Sequence, residues 1–282
     1  MDLSRSLRRV CYQTRMQMIR TIPIVGIAVL GLSAHAFPGK DGTRVVIYKP
    51  SIGGQLTGSN LTNKSFNGLS MRGTRFVECD MSGSSLQGVN AQNASFVDTQ
   101  LDGANISHSY LENAAFIDLT ISRLLARRLD ASEISFTDVD ISQSNFRDSK
   151  FVAARMIDVT WFGSTLHNSN MVGSKLSGVS FDQSDLSSVE LEASHLQDVN
   201  FTSSDLSEAS FVGAKLNEVT FNKVALHNTD FRDTELINTD FTDSEGLTGQ
   251  HFEGACALDV KGLPEGIILP ACGLNIASGQ TD

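Results

Sequence analysis

The stretch LTGSNLTNKSFNGLSMRGTRF, residues 56–76, decides the fold. Its apolar residues Leu56, Leu61, Phe66, Met71 and Phe76 fall five apart. The series continues without a slip through Met81 and Leu86 to Leu226, Phe231, Leu236 and Phe241. It comprises 38 consecutive centres, all Leu, Phe, Met, Ile, Ala or Trp. Neither a helix, with a period of 3.6, nor a flat strand, with a period of 2, repeats every five residues. A fixed period kept this long predicts a solenoid, in which each unit buries its apolar residue by stacking on its neighbours.

The length of one coil follows from the aromatic residues. Phe76, Phe96, Phe116 and Phe136 are spaced by twenty, and Trp161, Phe181, Phe201, Phe221 and Phe241 repeat that step. Aromatic side chains that stack coil upon coil recur once per turn, so one turn is four quintets. The tract then makes about nine coils and a rod roughly 45 Å long at ~4.8 Å per rung.

With the apolar centre called i, position i−2 is small or β-branched in most repeats, as at Ala94, Ala104, Ala114, Ser164, Ser174, Val179, Ser184, Val199 and Ala209. Here the chain resembles the pentapeptide-repeat family, whose motif is A-(D/N)-L-x-x. The clearest copies are Gly103-Ala104-Asn105-Ile106, Gln183-Ser184-Asp185-Leu186 and Ser203-Ser204-Asp205-Leu206. The resemblance covers about two thirds of the chain. It implies an all-β fold, a right-handed quadrilateral parallel β-helix with i and i−2 pointing inward.

Working outward, residues 1–36 read as a cleavable signal peptide. Five arginines precede the apolar run Ile22–Leu32, and Ala34-His35-Ala36 supplies small residues for cleavage before Phe37. Eleven apolar residues are too few to span a bilayer, which takes ~20. The expected location is therefore periplasmic or secreted, with no stable membrane insertion after cleavage. Residues 37–55 form an N-terminal cap, in which Thr43–Lys49 is a β-branched strand placed to cover the first coil. Residues 56–245 are the β-helix. Residues 246–282 leave the register as a C-terminal cap and tail, with a short helix after Gly249 and an extended return through Leu263–Pro270. In an oxidising compartment Cys256 and Cys272 are a candidate disulfide. Cys79 falls at an inward i−2 position, and Cys11 leaves with the signal.

Inside the tract, residues 119–135 exchange volume between the two inward positions. Leu119, Leu124, Leu129 and Ile134 are bulky at i−2 while the centres shrink to Ala126 and Ala131. The twenty-residue step from Phe116 to Phe136 persists, which excludes a helical insertion.

The outer surface reads as columns. Position i+2 carries Glu78, Asp98, Asp118, Asp138, Asp158, then Gly178, then Asp198 and Glu218. Three readings fit this acidic ladder: turn carboxylates that accept neighbouring backbone N–H groups, ligands for divalent cations, or a surface for a basic partner. Position i+1 carries the β-branched stripe Val77, Val97, Ile117, Thr137 and Ile157, a candidate face for a partner or a second copy. Arg123, Arg127 and Arg128, with Arg147 and Arg155 nearby, read as the one basic cluster of the rod and a candidate anion or partner contact.

The formal net charge is −10, and residues 37–282 hold 17 basic against 31 acidic groups. That balance excludes nonspecific binding to nucleic acid. The six histidines are scattered, no glycine-rich phosphate loop opens a helix, and no nucleophile–base set stands out. The expectation is a non-enzymatic scaffold without cofactor that binds an unidentified protein. The family resemblance also implies a rival, an acidic rod similar to DNA that binds a topoisomerase such as DNA gyrase.

Overall fold

The computed structural model describes residues 32–38, 44–50 and 53–273; the expected signal segment lies outside these up to residue 31. Strands β1 (Leu32–Pro38) and β2 (Arg44–Pro50) form their own antiparallel pair. All remaining strands form one parallel sheet in strict chain order. They are β3 (Gln55–Thr57), β4 (Arg75–Val77), β5 (Ser95–Val97), β6 (Ala115–Ser122), β7 (Ser135–Ser142) and β8 (Arg155–Phe162), followed by β9 (Lys175–Asp182), β10 (His195–Thr202), β11 (Lys215–Asn222), β12 (Glu235–Ile237) and β13 (Cys256–Leu258). From β3 to β12 every partner is twenty residues away, as in Phe76↔Phe96 and Leu216↔Leu236.

Three further bridge columns run parallel to this sheet, starting at Asn60↔Asp80, Ser65↔Ser85 and Ser70↔Asn90. Together they make a four-sided β-helix. We number the faces by their first centre: face 1 from Leu56, face 2 from Leu61, face 3 from Phe66 and face 4 from Met71.

The corners are set by backbone conformation. Every i+2 residue from Gly58 to Asp243 has φ between 49° and 68°. Such left-handed residues turn the chain, and the N–H of i+3 then closes a turn onto the carbonyl of i, as in Thr74 to Met71 (3.0 Å) and Ala94 to Ala91 (3.0 Å). This is the pattern of a type II turn. The asparagine or aspartate of the motif supports the straight segment before it. Its side chain at i−1 accepts the N–H of i+1, as Asp80 does from Ser82 (3.0 Å), Asn105 from Ser107 (3.0 Å) and Asp205 from Ser207 (2.9 Å).

All 38 centres are buried, and from Thr74 to Thr239 so is every i−2 residue. Leu119, Leu124, Leu129 and Ile134 fill the space that Ala126 and Ala131 leave, which keeps the inward volume. Aromatic rings stack along the axis: Phe76, Phe96 and Phe116 with centroids 5.0 and 4.8 Å apart, and Phe181, Phe201 and Phe221 at 5.1 and 5.2 Å. Several buried serines at i−2 have partners too, while Ser84 Oγ and Ser174 Oγ have none. Ser109 donates to Leu86 O (2.8 Å) and Ser149 to Ala126 O (2.8 Å), while Ser164 and Ser204 accept the N–H groups of Ser144 (3.1 Å) and Ser184 (3.0 Å).

Both ends differ from the sequence reading. β2 is a strand as expected, but the large sheet stops at β3 and β2 pairs with β1 instead. A neighbour joined by a short connection is the easier partner. Lys64, at i−2 in the first coil, is accordingly exposed. The expected cleavage point between Ala36 and Phe37 lies within β1, so cleavage there removes most of β2's partner. At the other end the register does not stop at residue 246. It continues with one inserted residue: Glu235 pairs with Cys256, and Phe252 stacks on Phe231 at 5.3 Å. The insertion falls at the corner before a single 3₁₀ turn, Gly249–Phe252. There Gly246 has φ 92°, and a Cβ on it would lie 2.7 Å from the His227 backbone nitrogen. The return segment then closes the last coil. Ala257 N–H donates to Pro270 O (2.8 Å), and Leu263, Ile267 and Leu269 pack on the core. Among the described residues no helix is long and apolar enough to cross a membrane.

Phe221 is fully buried between Phe201 and Phe241. Phe221→Ala is expected to cost about 3–5 kcal/mol, read from the urea unfolding midpoint; a loss under 1 kcal/mol would contradict the stacked column. Hydrogen bonds from the Thr242 side chain and N–H hold the Asp240 carboxyl below its usual range. At Asp185 burial pushes the other way, but bonds from Ser187 and Thr165 outweigh it and the net direction is down. A carboxylate held low in the fold stabilises at pH above its unfolded value of ~3.9, and the contribution disappears as pH falls through the folded value. The midpoint should stay flat near neutrality and drop in acid below that value, with the drop smaller in Asp185→Asn; a midpoint that rises on acidification contradicts this.

Candidate interaction surfaces

Nothing inside the rod is free to bind, because i and i−2 side chains fill it. Two surface hollows among the described residues are open to solvent. One is at the C-terminal cap beside Phe252 and Ile267, the other among Arg72, Gln92, Glu112 and Glu133 on face 4. Function therefore has to be sought in the outward columns.

The acidic column runs along the corner between faces 1 and 2. Glu78, Asp98, Asp118, Asp138, Asp158, Asp198 and Glu218 all occupy left-handed positions, with φ between 51° and 59°. Asp and Asn tolerate this conformation better than other side chains. Carboxylates at position i−1 accept neighbouring N–H groups, as Asp80, Asp205 and Asp240 do. At the gap in the column the Asp158 carboxylate leans over Gly178, where a Cβ would sit 2.6 Å from Oδ1. The column offers one carboxylate per rung, ~4.8 Å apart, and these do not converge. Among the described residues no group of three or more His, Cys, Asp or Glu is placed to hold a metal ion.

The β-branched stripe is contiguous. Val77, Val97, Ile117, Thr137 and Ile157 are direct partners in successive strands of face 1, each half-buried. On the same face the i−1 column holds Ser95, Ala115 and Ser135, and then changes character. Arg155, Lys175, His195 and Lys215 are successive partners, all exposed. Lys215 Nζ also reaches Glu235 at 3.0 Å.

That finding divides the basic cluster expected from sequence. Arg123, Arg127, Arg128 and Arg147 lie on face 3 and its two corners, all exposed, but Arg155 stands on face 1. Arg128 Nε lies 4.0 Å from Asp148. A hydrogen bond from Asn168 Nδ2 (2.9 Å), with Arg128 and Arg147 nearby, holds the Asp148 carboxyl below its usual range. Lys175, His195 and Lys215 lie outside the i+1 and i+2 columns that the sequence singles out. Reading position i−1 at the same twenty-residue step would have found them.

Cys256 and Cys272 form a disulfide with Cα atoms 4.8 Å apart, tying β13 to the return segment. Cys79 is buried, and burial pushes its thiol pKa up.

The family models agree with this architecture. The model of the pentapeptide repeat region matches residues 174–252, and that of pentapeptide repeats (8 copies) matches residues 55–88 and 79–116. No curated protein matches the chain. Among solved structures, QnrB1, a plasmid-mediated fluoroquinolone resistance protein, is 16% identical over 73% of this chain and 89% of its own, with a TM-score of 0.44. HetL, a pentapeptide repeat protein involved in heterocyst differentiation regulation from the cyanobacterium Nostoc sp. strain PCC 7120, is 17% identical over 73% of this chain and 84% of its own, with a TM-score of 0.32.

If the corner conformation fixes the acidic column, Asp138→Asn should change stability by less than ~0.5 kcal/mol, while β-branched Asp138→Val should cost about 1–2 kcal/mol. Urea midpoints of the two variants test this. An equal loss for both would show that charge rather than backbone selects the residue.

Proposed function

The chain belongs to the pentapeptide-repeat family, and from that premise we propose that it is an exported, non-enzymatic scaffold whose outer columns bind another protein. One observation carries the reading: the interior is filled along its length, so the outward side chains are the available chemistry. The basic and apolar order of residues 1–36 supports export. The Cys256–Cys272 pair supports it as well, since disulfides persist in oxidising compartments. Net charge −10 favours a protein partner over nucleic acid. The corner from Glu78 to Glu218 fits a partner with a basic surface.

A second reading, capture of a topoisomerase such as DNA gyrase, is favoured by that same acidic corner. Location separates the two. The full coding sequence, expressed with a C-terminal tag, is fractionated and the tagged chain sequenced from its N-terminus. A chain beginning at Phe37 in the periplasm or medium is the expected result, with its partner captured from that fraction. A chain kept in the cytoplasm with residues 1–36 intact overturns export, and inhibition of gyrase supercoiling by that chain would replace the scaffold reading with the second.

A further inference from the structure

We propose that face 1 is a self-association surface, on which two copies of this chain lie side by side and parallel, related by a two-fold axis along the rod. The proposal does not depend on export or on any further partner.

Positions i−1 and i+1 point outward on either side of the buried centre, two residues apart, or ~6.6–6.8 Å. The midline of the face therefore runs above the column of centres. The acidic corner lies beyond i+1. A self-complementary interface must match this pattern with its own image under a two-fold axis, and only two axes bring face 1 onto itself.

An axis across the rods makes the copies antiparallel. It lays i−1 on i−1 and the acidic corner on itself. Centred on Ile117, it sets Glu78 against the partner's Asp158 and Asp98 against the partner's Asp138, and Arg75 against the partner's Arg155. Sliding along the rod does not relieve this, because the acidic column extends over eight coils. Like charges at such distances repel.

An axis along the rod, above the centres, makes the copies parallel and lays i−1 on i+1 of the same rung. In the first half of the rod, small Ser95, Ala115 and Ser135 then lie under the partner's Val97, Ile117 and Thr137. The branched, half-buried side chains meet a shallow column that receives them. In the second half Arg155 and Lys215 reach toward the partner's Asp158 and Glu218 on the far corner, and the same pairs form reciprocally. Within one chain a cation and the acid of its own rung are three residues apart along the strand, on opposite edges of the face. Pairing copies in this orientation opposes unlike charges along the half of the face that carries cations.

The area sets the strength. Eleven rungs at ~4.8 Å and a face roughly 10 Å wide give about 500 Å² per copy, or about 1,000 Å² in all. That is the lower limit for a specific interface. The expected complex is a micromolar-range dimer that weakens with salt, since its charge pairs sit at the rim.

Sedimentation equilibrium on the full-chain protein tests the proposal. The wild type should show the dimer mass at low salt and dissociate as salt rises. Ile117→Arg changes an outward residue, so circular dichroism should be unaltered while the dimer is lost. Arg155→Glu with Lys215→Glu should weaken self-association at least tenfold, as should Asp158→Lys with Glu218→Lys. Mixing those two double variants should restore dimers, because each column then meets its opposite. Overturning results are a monomer at every concentration reached, dimerisation indifferent to both double variants, or failure of the mixture to recover. Efficient disulfide formation by Ala115→Cys alone would also overturn the parallel arrangement, since two Ala115 residues meet only in the antiparallel one.

Discussion

Everything in this rod depends on the chain taking the left-handed conformation once every five residues. That conformation disfavours most side chains, yet here Glu, Arg, Gln and Ala adopt it as well as Gly, Asn and Asp. Two features hold them there. The turn bond from i+3 to i closes many of the corners. In addition, the N–H of the left-handed residue points along the rod and donates to the next coil, as in Asn63 to Ser82 O (2.9 Å) and Ala153 to Val172 O (2.9 Å). The strain is local, while the bond that offsets it is made by the neighbouring coil. No single coil is therefore stable alone, which is the general condition of a solenoid.

With the corners fixed at five residues, equivalent positions must stack. Stacking explains how the interior tolerates different contents. A column can be aromatic, as from Phe181 to Phe241, or a hydroxyl ladder, as from Ser144 to Ser204, because each side chain meets its own kind one rung away. Where a column changes, the neighbouring position compensates: the leucines at 119, 124 and 129 accompany the alanine centres at 126 and 131. At Trp161 the face 2 column takes over from Phe136 through an edge-on contact, with centroids 6.1 Å apart.

The interior was legible in the sequence because burial there repeats at a fixed step. The centres, the i−2 positions and the twenty-residue coil all followed from Leu56 to Phe241. The ends were less legible. One inserted residue near Gly246 breaks the count while Phe252 still fills the next place on its column, and a periodicity cannot show a register that resumes one residue late. β2 was recognisable as a strand, but propensity does not name the partner. On the surface, Asp98 and Asp205 look alike in sequence, yet one occupies a left-handed corner and the other accepts an N–H from Ser207. Only the backbone conformation separates those roles.

The outer columns follow a different logic from the inner ones. Stacking like on like lowers the energy of an apolar column but raises that of a charged one, because rungs only ~4.8 Å apart bring equal charges together. Alternating signs along each column would remove the repulsion. Part of the rod does this: Arg128 faces Asp148, and Lys215 faces Glu235. The acidic corner, and Arg155 with Lys175, instead keep one sign over successive rungs and lie on opposite edges of one face. Backbone conformation accounts for aspartate at the corner, since the left-handed position favours it. It does not account for the cations, which occupy ordinary extended positions where most residues fit. A charge pattern that the fold does not require is best explained by what lies against that face.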